Sequence, residues 1–185
     1  MKHRRYGARA IYYADVLVHA GSRFRTFEDL RGATWAYNEP ESHSGYGLTR
    51  YQLAVGGFGS GYFGRLVASG SHQRSLELLM LRAIDATAID STVLERALVA
   101  SSELAPRIRT IATWGPSPAP PWVVHQSVSN DIREALRREF LTFGRDAADR
   151  RLLDAAEMLG FADVTDREYD VIRETERVGA AVELR

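Results

Sequence analysis

The sequence predicts an α/β fold built on parallel-type sheets flanked by helices. Three observations carry that expectation. Short runs rich in aromatic and β-branched residues alternate with segments whose apolar residues recur at helical spacing. Clusters of Gly, Pro, Ser, Asn and Asp separate them. Strands joined through helices are crossover units, which set neighbouring strands parallel. A length of 185 residues admits one large domain or two small lobes, and is enough to bury a real core.

The elements follow in order. Ile11–Val18 is rich in aromatic and β-branched residues and reads as a strand. Thr26-Phe-Glu-Asp29 has the spacing of a capping box and opens a short helical turn that Gly32 closes. Residues 33–38, ATWAYN, form a second strand. A polar turn from Glu39 leads into a helix over about 45–55, with Leu48, Tyr51 and Leu53 inward. After the Gly-rich loop 56–61 come a strand at 65–69, a helix at 72–83, and a short apolar strand at 86–90. Ser91 or Thr92 caps a helix over 93–101, and 107–113 alternates as a strand. Residues 115–121, GPSPAPP, form a rigid crossing segment, followed by a strand at 122–126 and helices at 130–143, 147–158 and 167–177.

Composition excludes several function classes. Twenty-four basic residues balance 24 acidic ones, which argues against a protein that binds nucleic acid by general phosphate neutralisation. Of the basic residues only Lys2 is not Arg, which is most simply a coding bias. With no Cys there is no disulfide, thiol nucleophile or thiolate metal site. No window approaches the ~18 apolar residues that span a bilayer, so no membrane insertion is expected. The basic start resembles a signal-peptide n-region, but Asp15 and His19 break the apolar stretch behind it, so no export signal is read.

Several motifs are weak. Gly59-Ser-Gly61-Tyr-Phe-Gly64 spells a dinucleotide fingerprint, yet it follows a helix and precedes a strand, the reverse of the required context. It reads as a loop. The five His (His3, His19, His43, His72, His125) form no metal-ligand pair at helical spacing, and no cofactor is expected. There is no nucleophile elbow and no P-loop. The pairs Asp85/Asp90 and Glu39/Glu41 read more simply as solvated or capping carboxylates than as acid–base pairs.

One constellation is more informative. Ser42, Ser44 and Gly45 lie between a strand and a helix, where helical N–H groups are unpaired and the dipole favours an anion. Ser69-Gly-Ser-His72 and Asp90-Ser91-Thr92 occupy two further strand-to-helix junctions. In an open parallel sheet such ends face one crevice. Hydroxyls and a His beside helix starts suit a tetrahedral oxyanion. Helix capping by Ser42, Ser44, Ser71 or Asp90 is the simpler explanation of each junction taken alone.

Taken in order, YYADVLVHAGSRFRTFEDLRGATWAYNEPESHSGY, ASGSHQRSLELL, ATAIDSTVLE and PSPAPPWVV resemble the phosphate-, phosphite- and phosphonate-binding periplasmic proteins of ABC importers, from about Tyr12 to Tyr169. The resemblance implies a type II periplasmic-binding-protein fold: two lobes joined by crossing strands and closing on a ligand. It implies that Ser42, Ser44, Gly45 and the amide of Tyr46 hold the oxyanion, that His72 and Asp90 complete the seat, and that Tyr13, with Tyr12 beside it, lines the site; the strand-end reading adds Ser91 to the candidates. Ser117 is expected near the cleft. Residues 22–108 are expected to form a complete lobe two, and 1–21 with 109–185 the remainder of lobe one. Family members carry a further stretch before the segment equivalent to Tyr12, so the first lobe is expected to be incomplete, through truncation, a mis-started frame, or completion by another chain in a homodimer. The implied function is a non-enzymatic, extracytoplasmic receptor for a small phosphorus oxyanion, partnered by an ABC permease. The alternatives are a ligand-sensing or thiamine-pyrimidine-synthase-like enzymatic domain on the same fold, and an inactive fragment.

Overall fold

A computed structural model describes residues 1–7 and 9–184. In chain order the elements are β1 (Lys2–His3), β2 (Ile11–His19), β3 (Thr34–Tyr37), α1 (Leu48–Val55), β4 (Arg65–Ala68), α2 (His72–Met80), β5 (Ala86–Asp90), α3 (Ser91–Ala100), β6 (Ile108–Pro118), α4 (Asn130–Thr142), α5 (Ala147–Ala155), β7 (Met158–Gly160) and α6 (Asp170–Gly179). The chain divides into two compact units. The smaller takes Met1–Tyr12 and Pro116–Tyr169, the larger Tyr13–Gly115 and Asp170–Arg185. The larger unit is thus wider than the stretch 22–108 and includes the C-terminal helix.

The larger unit is built on a five-stranded sheet in the order β4-β3-β5-β2-β6. β3 is parallel to both β4 and β5, as the strand–helix alternation predicts. β2 breaks the all-parallel expectation, pairing antiparallel with β5 through Ala14↔Asp90 to Val18↔Ala86. The sheet is therefore mixed. The strands alternate between two apolar clusters. Val16, Val18, Trp35, Ala86 and Ala88 point into one, and Leu17, Ala36 and Ile89 into the other. Burial on both faces explains why β5 reads as a continuous apolar run. Trp35 anchors the first cluster, stacked on Phe63 at 4.8 Å, with Phe27 edge-on to both Trp35 and Trp114. α2 and α3 cover the other face through Leu76, Leu79 and Leu94. α6 packs on α1, where Gly179 lies against Arg50 and Tyr51, and the Arg50 Nε donates to the Val182 carbonyl at 2.8 Å.

The Gly-rich segment is a loop, and its last glycine has a steric cause. A Cβ at Gly64 would strike the backbone carbonyl of Gly32, at the point where β3 and β4 begin to pair. The turn at 26–30 uses half of the expected capping box: the Asp29 carboxylate accepts the amides of Arg25 and Thr26 at 2.7 and 3.0 Å.

The smaller unit carries the β1–β7 antiparallel pair with α4 and α5. The sequence pattern did not suggest either short strand. The predicted strand at 122–126 is absent. Pro120 and Pro121 remove ladder donors immediately before it, and among the described residues no strand pairs with it. Its Trp122 packs instead on Phe140 and Phe161, with ring centroids 4.8 and 5.5 Å away. GPSP, expected as a crossing segment, continues β6 to Pro118. The last helix begins at Asp170 rather than 167.

Candidate functional site

The parallel order of β4, β3 and β5 places their carboxyl ends along one edge, and a helix starts from each. β2 runs the other way, so its Tyr13 reaches the same edge, one residue before Ala14 pairs with Asp90. All eight candidate residues named from the sequence (Tyr13, Ser42, Ser44, Gly45, Tyr46, His72, Asp90 and Ser91) belong to the larger unit.

The β3–α1 junction is the most elaborate. Ser42 has extended backbone angles, and its Oγ accepts the Gly45 amide at 3.1 Å. The chain then makes a wide π-type turn over His43–Gly47 before α1. The amides of Tyr46 and Gly47 both donate to the Ser42 carbonyl, at 3.1 and 2.9 Å. The Tyr46 amide, expected to face a ligand, is therefore engaged within the turn. Its ring stands edge-on to Tyr37 at 5.0 Å, with the Arg50 guanidinium 5.5 Å from its centre. Gly45 is required sterically, since a Cβ there would collide with the Asn38 Oδ1.

The β4–α2 junction supplies the partner. Gly70 takes a positive φ of 83°, and its amide donates to the Asn38 carbonyl at 2.8 Å. Ser69 Oγ lies 3.1 Å from the Tyr37 carbonyl and 2.6 Å from Ser75 Oγ. Ser71 caps α2 by accepting the Arg74 amide at 3.1 Å. So held, His72 brings its Nε2 to 3.1 Å from the Oγ of buried Ser44. The His72 Nδ1 and the Asn38 Oδ1 are both buried with no hydrogen-bond partner among the described residues. Such groups carry a desolvation cost unless something else meets them.

Burial pushes the His72 pKa below its ordinary value, against the raising pull of Asp90 and Glu39. Neighbouring His43 is pushed down to about 4, also by burial. Both imidazoles are therefore neutral near pH 7.

At the β5–α3 junction the capping explanation holds for Asp90. Its Oδ1 accepts the amide and the hydroxyl of Thr92, both at 2.7 Å. Asp90, rather than Ser91 or Thr92, is thus the cap, and α3 starts two residues earlier than expected. Ser91 is fully buried, and its Oγ accepts the Tyr13 amide at 2.9 Å, which extends the β2–β5 pairing by one rung. Tyr12 and Ser117 are buried and lie in the smaller unit. The pair Asp85/Asp90 is split, because Asp85 precedes β5 and Asp90 ends it; the Asp85 Oδ2 accepts the Thr34 amide at 2.8 Å.

Sequence reasoning missed Asn38 and Tyr37. The signal was present: an aromatic and an amide end an otherwise apolar strand, directly before the Glu-Pro turn. Among the described residues, no group of three or more His, Cys, Asp and Glu could hold a metal ion, and no helix is long and apolar enough to cross a membrane.

Residues 1–169 match the family model of the ABC transporter, phosphonate, periplasmic substrate-binding protein. The chain belongs to this family. Its fold is shared with a binding-protein component of an ABC phosphonate transporter from Pseudomonas aeruginosa, at 20% identity and a TM-score of 0.86 over 97% of this chain. The chain spans 60% of that protein's length. PhnD1 from Prochlorococcus marinus, solved in complex with methylphosphonate, aligns at 17% identity with a TM-score of 0.83, over 94% of this chain and 68% of that one. A Xanthomonas citri protein solved with chloride aligns at 17% identity and a TM-score of 0.77, over 97% of this chain and 68% of its own. At these identities the likeness is one of fold, and it is the periplasmic-binding-protein fold that the family shares.

Proposed function

We propose that the carboxyl edge of the larger unit's sheet seats a small phosphorus oxyanion (phosphate, phosphite or a phosphonate) and that the chain serves as the solute-binding receptor of an ABC importer rather than as an enzyme. The observation that carries this reading is the Ser44–His72 contact at the start of two helices, with a buried, unpartnered His72 Nδ1 beside it.

The chemistry is consistent with that role. A neutral His72 protonated at Nε2 donates to the Ser44 Oγ, which leaves the Ser44 hydroxyl proton for a ligand oxygen and the Nδ1 lone pair to accept from a ligand that retains a proton. The Ser42 Oγ already accepts the Gly45 amide, so its own proton is free to donate as well. The dipole of the helix start adds a favourable field, although the Gly45, Tyr46 and Gly47 amides are engaged within the turn. The seat thus offers directed donors without a net charge. Asp90 sits near His72 as a helix cap; in this reading it discourages a fully ionised dianion and favours ligands that retain a proton. The extracytoplasmic location, the permease partner and ligand-driven closure come with the family and belong to the same proposal.

Calorimetric titration with phosphate, phosphite and methylphosphonate tests it. Saturable one-to-one binding of at least one of the three is expected. A folded protein that gives no heat with any of them overturns the reading.

A further inference from the structure

The opposite edge of the same sheet carries a second feature that the oxyanion seat does not use. A cavity of about 450 Å³ opens where β2 ends and β3 and β5 begin, and Arg23, Arg31, Arg82, His19, Phe24 and Asp85 are among its lining residues. The lining holds three arginines and one carboxylate, Asp85, whose Oδ2 already accepts the Thr34 amide; the Asp29 carboxylate lies near Arg23. Among the described residues, Arg23, Arg31 and Arg82 form no side-chain ion pair, whereas Arg74, Arg137, Arg173 and Arg177 all do.

The cationic groups are held in place. Arg31 lies over the Phe58 and Tyr62 rings, 5.4 and 4.9 Å from their centres, and Arg23 lies 5.1 Å over Phe24. Stacking occupies the face of a guanidinium and leaves its in-plane N–H edge to bind an anion. Arg82 ends α2 in a left-handed cap with φ of 56°, its amide donating to the Leu79 carbonyl and that of Ala83 to the Leu78 carbonyl at 3.1 and 2.9 Å, which fixes its backbone. The Arg82 guanidinium packs so closely on Gly21 that a Cβ there would lie 3.3 Å from its Nη2. The loop that forms the cavity wall is fixed from behind, because Arg109 donates to the carbonyls of Ala20, Ser22 and Phe24 at 2.7 to 3.0 Å. The His19 Nδ1 accepts the Gly21 amide at 3.1 Å, which leaves Nε2 as the donor of a neutral ring.

We propose that this cavity is a second anion site, for a small ligand carrying two or more closely spaced negative charges, of the diphosphate class. A prearranged set of unpaired guanidiniums suits such a ligand, because little side-chain ordering is left to be done on binding. The site is independent of the oxyanion seat and does not rest on its assignment.

Inorganic pyrophosphate is the probe, titrated calorimetrically into the full chain at 50 and 200 mM salt. Saturable binding that weakens about tenfold or more at the higher salt is expected, since the guanidiniums are exposed and screened. Arg31→Gln and Arg82→Asn should each weaken binding at least tenfold, with thermal melting confirming that both variants fold; Asn tolerates the left-handed backbone that Arg82 adopts. Ser44→Leu should leave pyrophosphate binding unchanged. The proposal is overturned if pyrophosphate fails to bind, if both folded arginine variants bind as the parent does, or if Ser44→Leu removes the signal and so places it at the other edge.

Discussion

The two edges of the larger unit's sheet, each proposed above as an anion site, differ in chemistry. At the carboxyl edge the candidate groups beside the Asp90 cap are uncharged and sequestered: Ser44 is buried, and desolvation keeps His72 neutral near pH 7. At the amino edge the groups are charged and exposed guanidiniums, two of them resting on aromatic rings. Neutral directed donors make affinity depend on geometry, because each must point at an oxygen, and they are weakly screened. Exposed cations make affinity depend on charge and salt. A net charge of zero therefore says little about whether a chain recognises anions.

The comparison breaks most sharply at Gly45. A side chain there collides with the Asn38 Oδ1, and Asn38 is itself tied to the loop that holds His72. Gly45→Val should remove measurable methylphosphonate binding and cost about 1–3 kcal/mol of stability through overpacking. Titration and chemical denaturation report the two effects separately. If binding survives intact, the seat is not at this turn. Ser44→Ala is the gentler cut. It deletes one hydroxyl, leaves the His72 Nε2 without its partner, and should weaken binding about tenfold or more. The same change should leave pyrophosphate binding at the amino edge untouched.

How much of this was legible follows from the range of the interactions. The helix start at Ser42–Gly45 and the cap at Asp90 are local: their partners lie two or three residues away, so residue type and spacing point to them. The resemblance put His72 in the seat, but the contact that places it is between residues 28 positions apart, and no local pattern encodes it. Ser91 shows the limit of residue-type reasoning. A hydroxyl at a strand end suggested a ligand donor, and residue type alone did not show that its oxygen also accepts the Tyr13 amide, 78 residues away. The antiparallel course of β2 was hidden for a related reason. Alternating strands and helices specify crossovers only between consecutive strands, and β2 is joined to β3 by a loop with one short turn. The 122–126 run has strand composition but no partner to pair with, and composition cannot supply one.

Acidity sharpens the contrast at the level of stability. His43 and His72 both have folded-state pKa values pushed below the ordinary value by burial, His43 to about 4. The unfolded chain takes up these protons first, near pH 6.5. The stabilisation is thus fully present above that pH and is lost as pH falls through 6.5 toward 4. For His43 it is on the order of 2 kcal/mol once partial solvent screening of the ring is allowed for. Urea denaturation between pH 7.5 and 4.5 should show the midpoint falling, and His43→Gln should flatten that fall. An unchanged slope in the variant would mean that another group carries the dependence.

Asp90→Ala gives the smallest effect and separates two roles for one carboxylate. As the cap of α3, Asp90 accepts two hydrogen bonds from Thr92, and their loss should cost about 1 kcal/mol, read as a lower denaturation midpoint. As a neighbour of His72, it contributes negative charge that raises the imidazole's pKa and opposes an incoming dianion. Removing it should therefore lower the His72 pKa further, visible as a shifted imidazole titration by NMR. It should also tighten phosphate binding at pH 8 by a few-fold, while a monoanionic ligand changes less. If phosphate binding instead weakens tenfold, Asp90 is a direct acceptor of a ligand proton, and the carboxyl edge is no longer a seat built from neutral donors alone.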